Sequence, residues 1–377
     1  MSDSESDDAQ PKQRGSKGTA TLFRERAEWA DVRGVAQQEA AAPVCPILYS
    51  PEFTDTMDFF RAVIRLDERS PRALELTGAV IRCNPSNYTA WQFRRLCLYA
   101  LQRDLAVELD DFVFGIAPKN PKNYQLWHHR RACAERLAAA ATAASDAAAL
   151  GGIGKRELDF AHKQILLDEK NLHAWAHRQW AVQFFSAWDG ELAWVHALLE
   201  SDVRNNSAWN HRFYVATHQQ PVAAVRRAEA DYALAAIGKA PNNESSWSYL
   251  RGVLTSPKAA ALQLAAGDSV SALVDHVEAQ CRAFQQRLPA SAFSVSLQVD
   301  LAEWRMDQLG ATESSSTAAA AAAAGAAEVS SIMGTDDREA LRRHALRLCE
   351  ILREQRDVLH SGYWLYRSEH LKNKKSA

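Results

Sequence analysis

The sequence predicts an all-α protein, a crescent-shaped α/α solenoid of helical-hairpin repeats. Three observations predict it: a tryptophan that returns once per two-helix length, an asparagine four residues before each one, and apolar spacing of 3 and 4 in between. The segments are NPSNYTAWQFRR (84–95), NPKNYQLWHHRR (120–131), DEKNLHAWAHRQ (168–179), DVRNNSAWNHRF (202–213) and APNNESSWSYLR (240–251). They align on Trp91, Trp127, Trp175, Trp209 and Trp247, which are 36, 48, 34 and 38 residues apart. The interval of 48 contains the low-complexity insert LAAAATAASDAAALGG (137–152). A degraded sixth segment, DVLHSGYWLYRS (357–368), keeps Trp364 and Arg367 but has no asparagine.

Within each copy the elements follow in order. ELDFAHKQILLDEK (157–170) and ELAWVHALLESD (191–202) carry the apolar periodicity of a first helix. A short break rich in Asn, Asp and Pro ends it. The repeating asparagines, Asn87, Asn123, Asn171, Asn205 and Asn243, are placed to cap the second helix. Four residues on from the cap comes Trp, and seven on comes Arg94, Arg130, Arg178 or Arg212, on one helix stripe. The fifth copy has Leu250 there, followed by Arg251. One aromatic knob per hairpin is how stacked hairpins bury a continuous core, and the arginines would tie neighbouring helix ends together. The repeat domain spans 21–370, with a second alanine-rich insert at 314–331. Residues 1–20 and 371–377 read as disordered tails, the first acidic then basic, the second basic.

Composition excludes several classes. The 377 residues are 47% hydrophobic and 24% charged, with a net charge of −2. No global basic field points to nucleic acid. The six cysteines (45, 83, 97, 133, 281, 349) form no close metal-type or redox pair. Their scatter, with no apolar signal segment at the start, fits a cytoplasmic protein. Outside the alanine tracts no run is long and apolar enough for a membrane span. No nucleophile elbow, phosphate-binding glycine loop or zinc-protease motif is present.

The residues just before the caps are Ser86, Lys122, Lys170, Arg204 and Asn242. Three adjacent copies thus put a cation beside a helix N-terminus, where two positive ends repel. A bound anion would relieve that; three solvated surface cations give the same pattern. Just inside the caps lie Tyr124 and Gln125 in copy two, and Leu172 and His173 in copy three.

These repeats, with NPKNYQLWHHRR second and KNLHAWAHRQW third, resemble the protein prenyltransferase α-subunit family. The stretches FRERAEWADV (23–32) and DTMDFFRAVIRLDERSPRALELT (55–77) are similar to the α subunit shared by protein farnesyltransferase and type I geranylgeranyltransferase. The likeness runs from about residue 21 to 255 and, more weakly, to about 370. It implies a helical crescent wrapped around a separate β subunit that holds the zinc and the lipid pocket, with no metal bound by this chain. Magnesium would accompany the prenyl diphosphate. The implied reaction moves a farnesyl or geranylgeranyl group from its diphosphate to the cysteine of a C-terminal CaaX sequence. By the same resemblance Lys122 contacts the diphosphate and Tyr124 lies beside it. Gln125 bonds the carboxylate of the peptide, His173 lines the same region, and Tyr88 borders the peptide exit. Asn123, Lys170, Asn171 and Arg204 are secondary candidates. Leu172 departs from the family tyrosine at its position. Two other readings are the α subunit of Rab geranylgeranyltransferase and a noncatalytic peptide-binding scaffold of the tetratricopeptide kind. Choice between the two lipids belongs to the β chain.

Overall fold

The structure, a computed structural model, describes residues 21–38, 45, 47–219, 225–264, 269–287, 291–320 and 328–374, with no side chains described at 261, 310–320 and 328–336. Among these residues the regular elements are helices, and one isolated bridge joins Val225 and Gln263. The all-α prediction holds. The chain divides into two compact units, 1–153 and 154–377.

In the first unit, two short 3₁₀ turns, Phe23–Glu25 and Ala27–Trp29, precede α1 (Pro51–Leu66), α2 (Pro71–Cys83) and α3 (Tyr88–Ala100). Buried Phe23, Trp29 and Phe59 pack edge to face or tilted. Buried Asp55 takes the Phe23 N–H at 2.6 Å and pairs with Arg24 at 2.9 Å. The FRERAEW stretch is therefore an anchored strap. A broken helical run follows: α4 (Leu105–Val107), a π turn (Glu108–Val113), α5 (Phe114–Ile116) and a 3₁₀ turn (Ala117–Lys119). Then comes α6 (Tyr124–Ala143). Helix α7 (Ala147–Leu167) crosses the division between the units. The first alanine insert thus forms the end of α6 and the start of α7, on either side of a left-handed turn at Ser145 (φ 55°).

The second unit continues with α8 (Leu172–Phe184), α9 (Glu191–Ser201), α10 (Asn206–His218), α11 (Arg226–Lys239) and α12 (Glu244–Thr255). It ends with α13 (Val270–Arg287), α14 (Ala292–Ala320), α15 (Glu328–Ile351) and α16 (Ser361–Asn373). The second alanine insert is helical to Ala320 and again from Glu328; 321–327 lie outside the described residues, as do the expected tail 1–20 and residues 375–377. The expected tail from 371 needs correction. Helix α16 runs to Asn373 with Leu371 buried, and Lys374 pairs with Glu303 at 3.0 Å and Asp307 at 2.7 Å. The apolar contact and two carboxylates hold what composition alone read as a basic end.

All five asparagines are N-caps, each side-chain oxygen accepting a backbone N–H from the first turn of its helix. Every repeat tryptophan is buried, and its indole N–H donates to a backbone carbonyl six residues back. The acceptors are Pro85, Pro121, Glu169, Val203 and Pro241, at 2.7–2.8 Å. One ring thus fills the core and also ties the inter-helix turn to the second helix. In the sixth copy Trp364 donates instead to the Asp357 side chain at 2.8 Å. Asn205→Ala should cost about 1 kcal/mol, the usual loss of a cap. Urea denaturation checks it, and an unchanged midpoint would remove the asparagine from the account of helix initiation.

Arg94, Arg178 and Arg212 lie in a buried ladder. Arg178 donates twice to Glu191 of the next hairpin (2.6 and 2.7 Å) and once to the Leu158 carbonyl of its own (3.1 Å). Glu191 also accepts from His211 Nε2 at 2.7 Å. Arg212 repeats this with Glu229 (2.8 and 2.8 Å), where Tyr249 replaces the histidine. In the first unit Arg94 meets Glu108 (2.7 and 2.7 Å), which also takes His129 at 2.9 Å. Each guanidinium lies over an aromatic ring, Phe112, Trp194 or Tyr232, at 3.3–3.7 Å from the centroid. The arginines therefore link hairpin to hairpin through helix interiors, rather than tying helix ends alone. Glu157–His177 and Glu191–His211 are separated by 20 residues, but Glu108–His129 by 21. The π turn at Glu108–Val113 absorbs that one extra residue, so the carboxylate still reaches its partners.

Candidate functional site

The candidate edge in the first unit is built where α3 and α6 begin. Asn123 Nδ2 donates to Ser86 Oγ at 3.3 Å, which brings the two helix starts together. Tyr88 and Tyr124 are the first residues of their helices, and both are 71% exposed. Lys122 is exposed and Gln125 half-buried beside them. In the second unit Lys170 and Arg204 are exposed, each directly before its cap. His173 is half-buried, and Asn171 is fully buried as a cap. Leu172 stands at the first helical position with 73% of its surface exposed, where Tyr88 and Tyr124 stand in their copies.

The backbone contributes less to anion binding than the sequence pattern implies. Asn123 accepts from Gln125 N (2.8 Å) and Leu126 N (3.2 Å), and Asn171 accepts from His173 N (3.0 Å) and Ala174 N (3.3 Å). Those caps occupy amide donors that a free helix start would offer an anion. An anion at this edge would be met chiefly by side chains, the ammonium of Lys122 and the hydroxyl of Tyr124. Among the described residues no group of three or more His, Cys, Asp or Glu side chains converges to hold a metal ion. Burial pushes the thiols of Cys97 and Cys281 up to about 11 and about 12, so neither is a thiolate at neutral pH.

The ladder holds α6 from behind. His129 lies on α6 two turns beyond Lys122, fully buried and tilted against Trp91 with ring centroids 4.9 Å apart. A carboxylate can only accept, so the Nε2 of His129 and His211 carries the proton given to Glu108 and Glu191. Nδ1 of both rings is buried with no hydrogen-bond partner among the described residues. Protonating Nδ1 would bury a donor with nothing to receive it. Burial accordingly holds both imidazoles below their ordinary 6.5, outweighing the neighbouring carboxylates. Burial pushes Glu108 and Glu191 up, but hydrogen bonds from His and Arg outweigh it and keep both below 4.5. All four groups bind fewer protons folded than unfolded. Their contribution to stability is complete above pH 6.5 and declines as pH falls below 6.5, then more steeply below 4.5. Urea midpoints from pH 7.5 to pH 4 check this; a flat profile contradicts it.

The ladder's acids and imidazoles were not singled out by sequence reading, although the signal was present. Glu108, Glu157, Glu191 and Glu229 each precede an aromatic by three or four residues, and His129, His177 and His211 each stand two after Trp.

The repeat is also recognisable by comparison. A family model described as "Protein prenyltransferase alpha subunit repeat" matches residues 70–101, 108–137, 155–185, 188–219 and 227–257. The protein farnesyltransferase/geranylgeranyltransferase type-1 subunit alpha of Dictyostelium discoideum is 33% identical over 354 residues, 92% of each chain. Its counterpart in Solanum lycopersicum is 48% identical over 238 residues, 62% of this chain and 65% of that one. A solved structure of Candida albicans protein geranylgeranyltransferase-I complexed with GGPP has a chain with the same fold, at TM-score 0.69 and 24% identity, covering 91% of this chain and 98% of that one. Five hairpins matched by one repeat model, together with a relative aligned over nearly the whole chain, give the conclusion: the chain belongs to the protein prenyltransferase α-subunit family, as the α subunit shared by farnesyltransferase and type-1 geranylgeranyltransferase.

Proposed function

We propose that this chain pairs with a β subunit in the cytoplasm and supplies Lys122 to the diphosphate of a farnesyl or geranylgeranyl donor. The bond from the prenyl C1 to the diphosphate oxygen breaks while C1 bonds to the cysteine sulfur of a CaaX-terminated protein, and the electron pair leaves with the diphosphate. Negative charge grows on the leaving oxygens, so a fixed ammonium stabilises the transition state more than the bound substrate. The observation that carries this reading is the start of α6, where exposed Lys122, just before the cap, and exposed Tyr124, just after it, stand at the end of a helix held by a fully buried imidazole.

On this reading Tyr124 donates to the diphosphate beside Lys122. Gln125 takes the peptide's terminal carboxylate through a neutral amide, His173 lines the same pocket, and Tyr88 borders the peptide's exit. Asn123 and Asn171 keep the role seen here, as caps. Leu172 offers no hydroxyl at its position, so donation there rests on Lys122 and Tyr124. A zinc ion held by the β subunit would keep the cysteine as a thiolate, and magnesium would come with the diphosphate. Among the described residues no helix is long and apolar enough to cross a membrane, which suits an enzyme acting on soluble proteins.

Coexpression tests it. The chain is purified with a farnesyltransferase β subunit, with a type I geranylgeranyltransferase β subunit, and with a Rab-type β subunit. Stable heterodimers with either of the first two, and prenyl transfer to CaaX peptides read by mass spectrometry, support the proposal. Pairing with the Rab-type β subunit alone, or no pairing by a folded chain, overturns it.

A further inference from the structure

Three copies carry an arginine eight residues after the capping asparagine: Arg95, Arg131 and Arg251. Two of them have a carboxylate. Arg131 donates to Glu135 at 2.8 Å, and Arg251 lies 2.6 Å from Asp300 of α14. Arg95 is the most buried of the three, 8% exposed, and donates from Nη2 to the neutral amide oxygen of Gln92 at 2.7 Å. Its Nη1 is buried with no partner among the described residues. A buried guanidinium without an acid is an uncompensated charge, and such charges are rare unless something outside completes them.

Its surroundings are basic. Arg136 lies 4.1 Å over the ring of Tyr99, and Tyr99 and Cys133 border Arg95. Three arginines, Arg95, Arg131 and Arg136, stand here with Glu135, which takes Arg131, and burial keeps neighbouring His128 below its ordinary value, so it adds no charge at neutral pH. Tyr88, Gln92, Arg95 and Tyr99 are spaced four, three and four apart, one continuous stripe down α3. That stripe begins at Tyr88, on the edge already assigned to the reaction.

We infer that the face formed by α3 and α6 docks the β subunit, and that an Asp or Glu side chain of β completes Arg95. The inference rests on the heterodimer proposed above. An acid supplied in trans gives Arg95 the carboxylate that Glu135 and Asp300 give the other two arginines. It meets a surface of net positive charge, and it continues the contact expected at the start of α3. Displacing the Gln92 amide, which is exposed, opens the guanidinium to it.

The test uses the full chain with its β subunit. Arg95→Met keeps volume and removes charge. The isolated variant is expected to melt at or above the wild-type temperature, because the charge it loses is unpaired there. Its dissociation constant for the β subunit is expected to rise about tenfold or more, with a shallower dependence on salt. Arg95→Lys is treated in the heterodimer with a carbodiimide, which joins an amine to a touching carboxylate with loss of water. A cross-link from position 95 to an Asp or Glu of β is the expected product, and it decides the matter even if Arg95→Met folds poorly. An unchanged dissociation constant, or a cross-link only within this chain, the acidic residues of 1–20 included, overturns the inference. If the wild-type chain is folded and no β subunit binds, the proposed function fails first, and the two failures are distinguishable.

Discussion

Glu191→Ala is expected to lower the stability of the chain by about 3–5 kcal/mol, the cost of removing one partner from a buried ion pair. Glu191 is 3% exposed and takes three hydrogen bonds, two from Arg178 and one from His211. Deleting it leaves a guanidinium that is 4% exposed with, among the described residues, the Leu158 carbonyl and the face of Trp194 beside it. It also orphans the His211 N–H. The acid belongs to one hairpin and its arginine to the one before, so the change acts on how the hairpins stack rather than on either helix alone. Replacing Arg178, Glu191 and His211 together by apolar residues of similar volume is expected to cost much less, because the expense lies in an unpaired buried charge and not in the loss of attraction. Equilibrium urea unfolding of the two variants separates the cases. A loss below about 1 kcal/mol for Glu191→Ala would mean that water or a rearranged side chain reaches Arg178, and the ladder would then be incidental to stacking.

Lys122→Ala is expected to slow prenyl transfer by the heterodimer by about 10²–10³-fold, the usual effect of removing one donor from a charge that develops in the transition state. The KM for the peptide should hardly move, because the role proposed for Lys122 is toward the leaving group and not the CaaX sequence. Exposure of Lys122 in the free chain predicts a change in thermal stability of only a few degrees at most, about the ±0.5 kcal/mol of a surface substitution. Lys122→Arg keeps the charge but changes its shape and reach, so partial recovery is expected. A variant whose kcat is unchanged while the heterodimer persists would leave the family membership standing and remove the lysine from the mechanism.

Much of this fold is legible in the residues because the repeat is punctuated by chemistry that acts locally. An asparagine caps the turn that follows it, and a tryptophan four residues later reaches back to the same turn. Both statements hold within a dozen residues, and all five copies obey them. The ladder was harder to see because Arg178, Glu191 and His211 meet only after two turns of chain fold back. The π turn at Glu108 shifts the second copy by one residue, which blurs the spacing by which the acids could have been aligned. The end of α16 and Lys374 were not legible because composition does not reveal Glu303 and Asp307, which lie about 70 residues earlier and receive Lys374. At the candidate site, spacing alone identified an edge with cations. That Asn123 and Asn171 already occupy backbone donors there required hydrogen-bond geometry.

The most direct measurement is a titration of the purified chain with a CaaX-type β subunit, following prenyl transfer to a CaaX peptide at saturating diphosphate. The account predicts no transfer by this chain alone, a rate that climbs linearly with added β subunit and breaks at one β per chain, and a plateau about 10²–10³-fold lower for Lys122→Ala. Transfer by the chain without β, or a folded chain that stays inactive at every ratio, would contradict it.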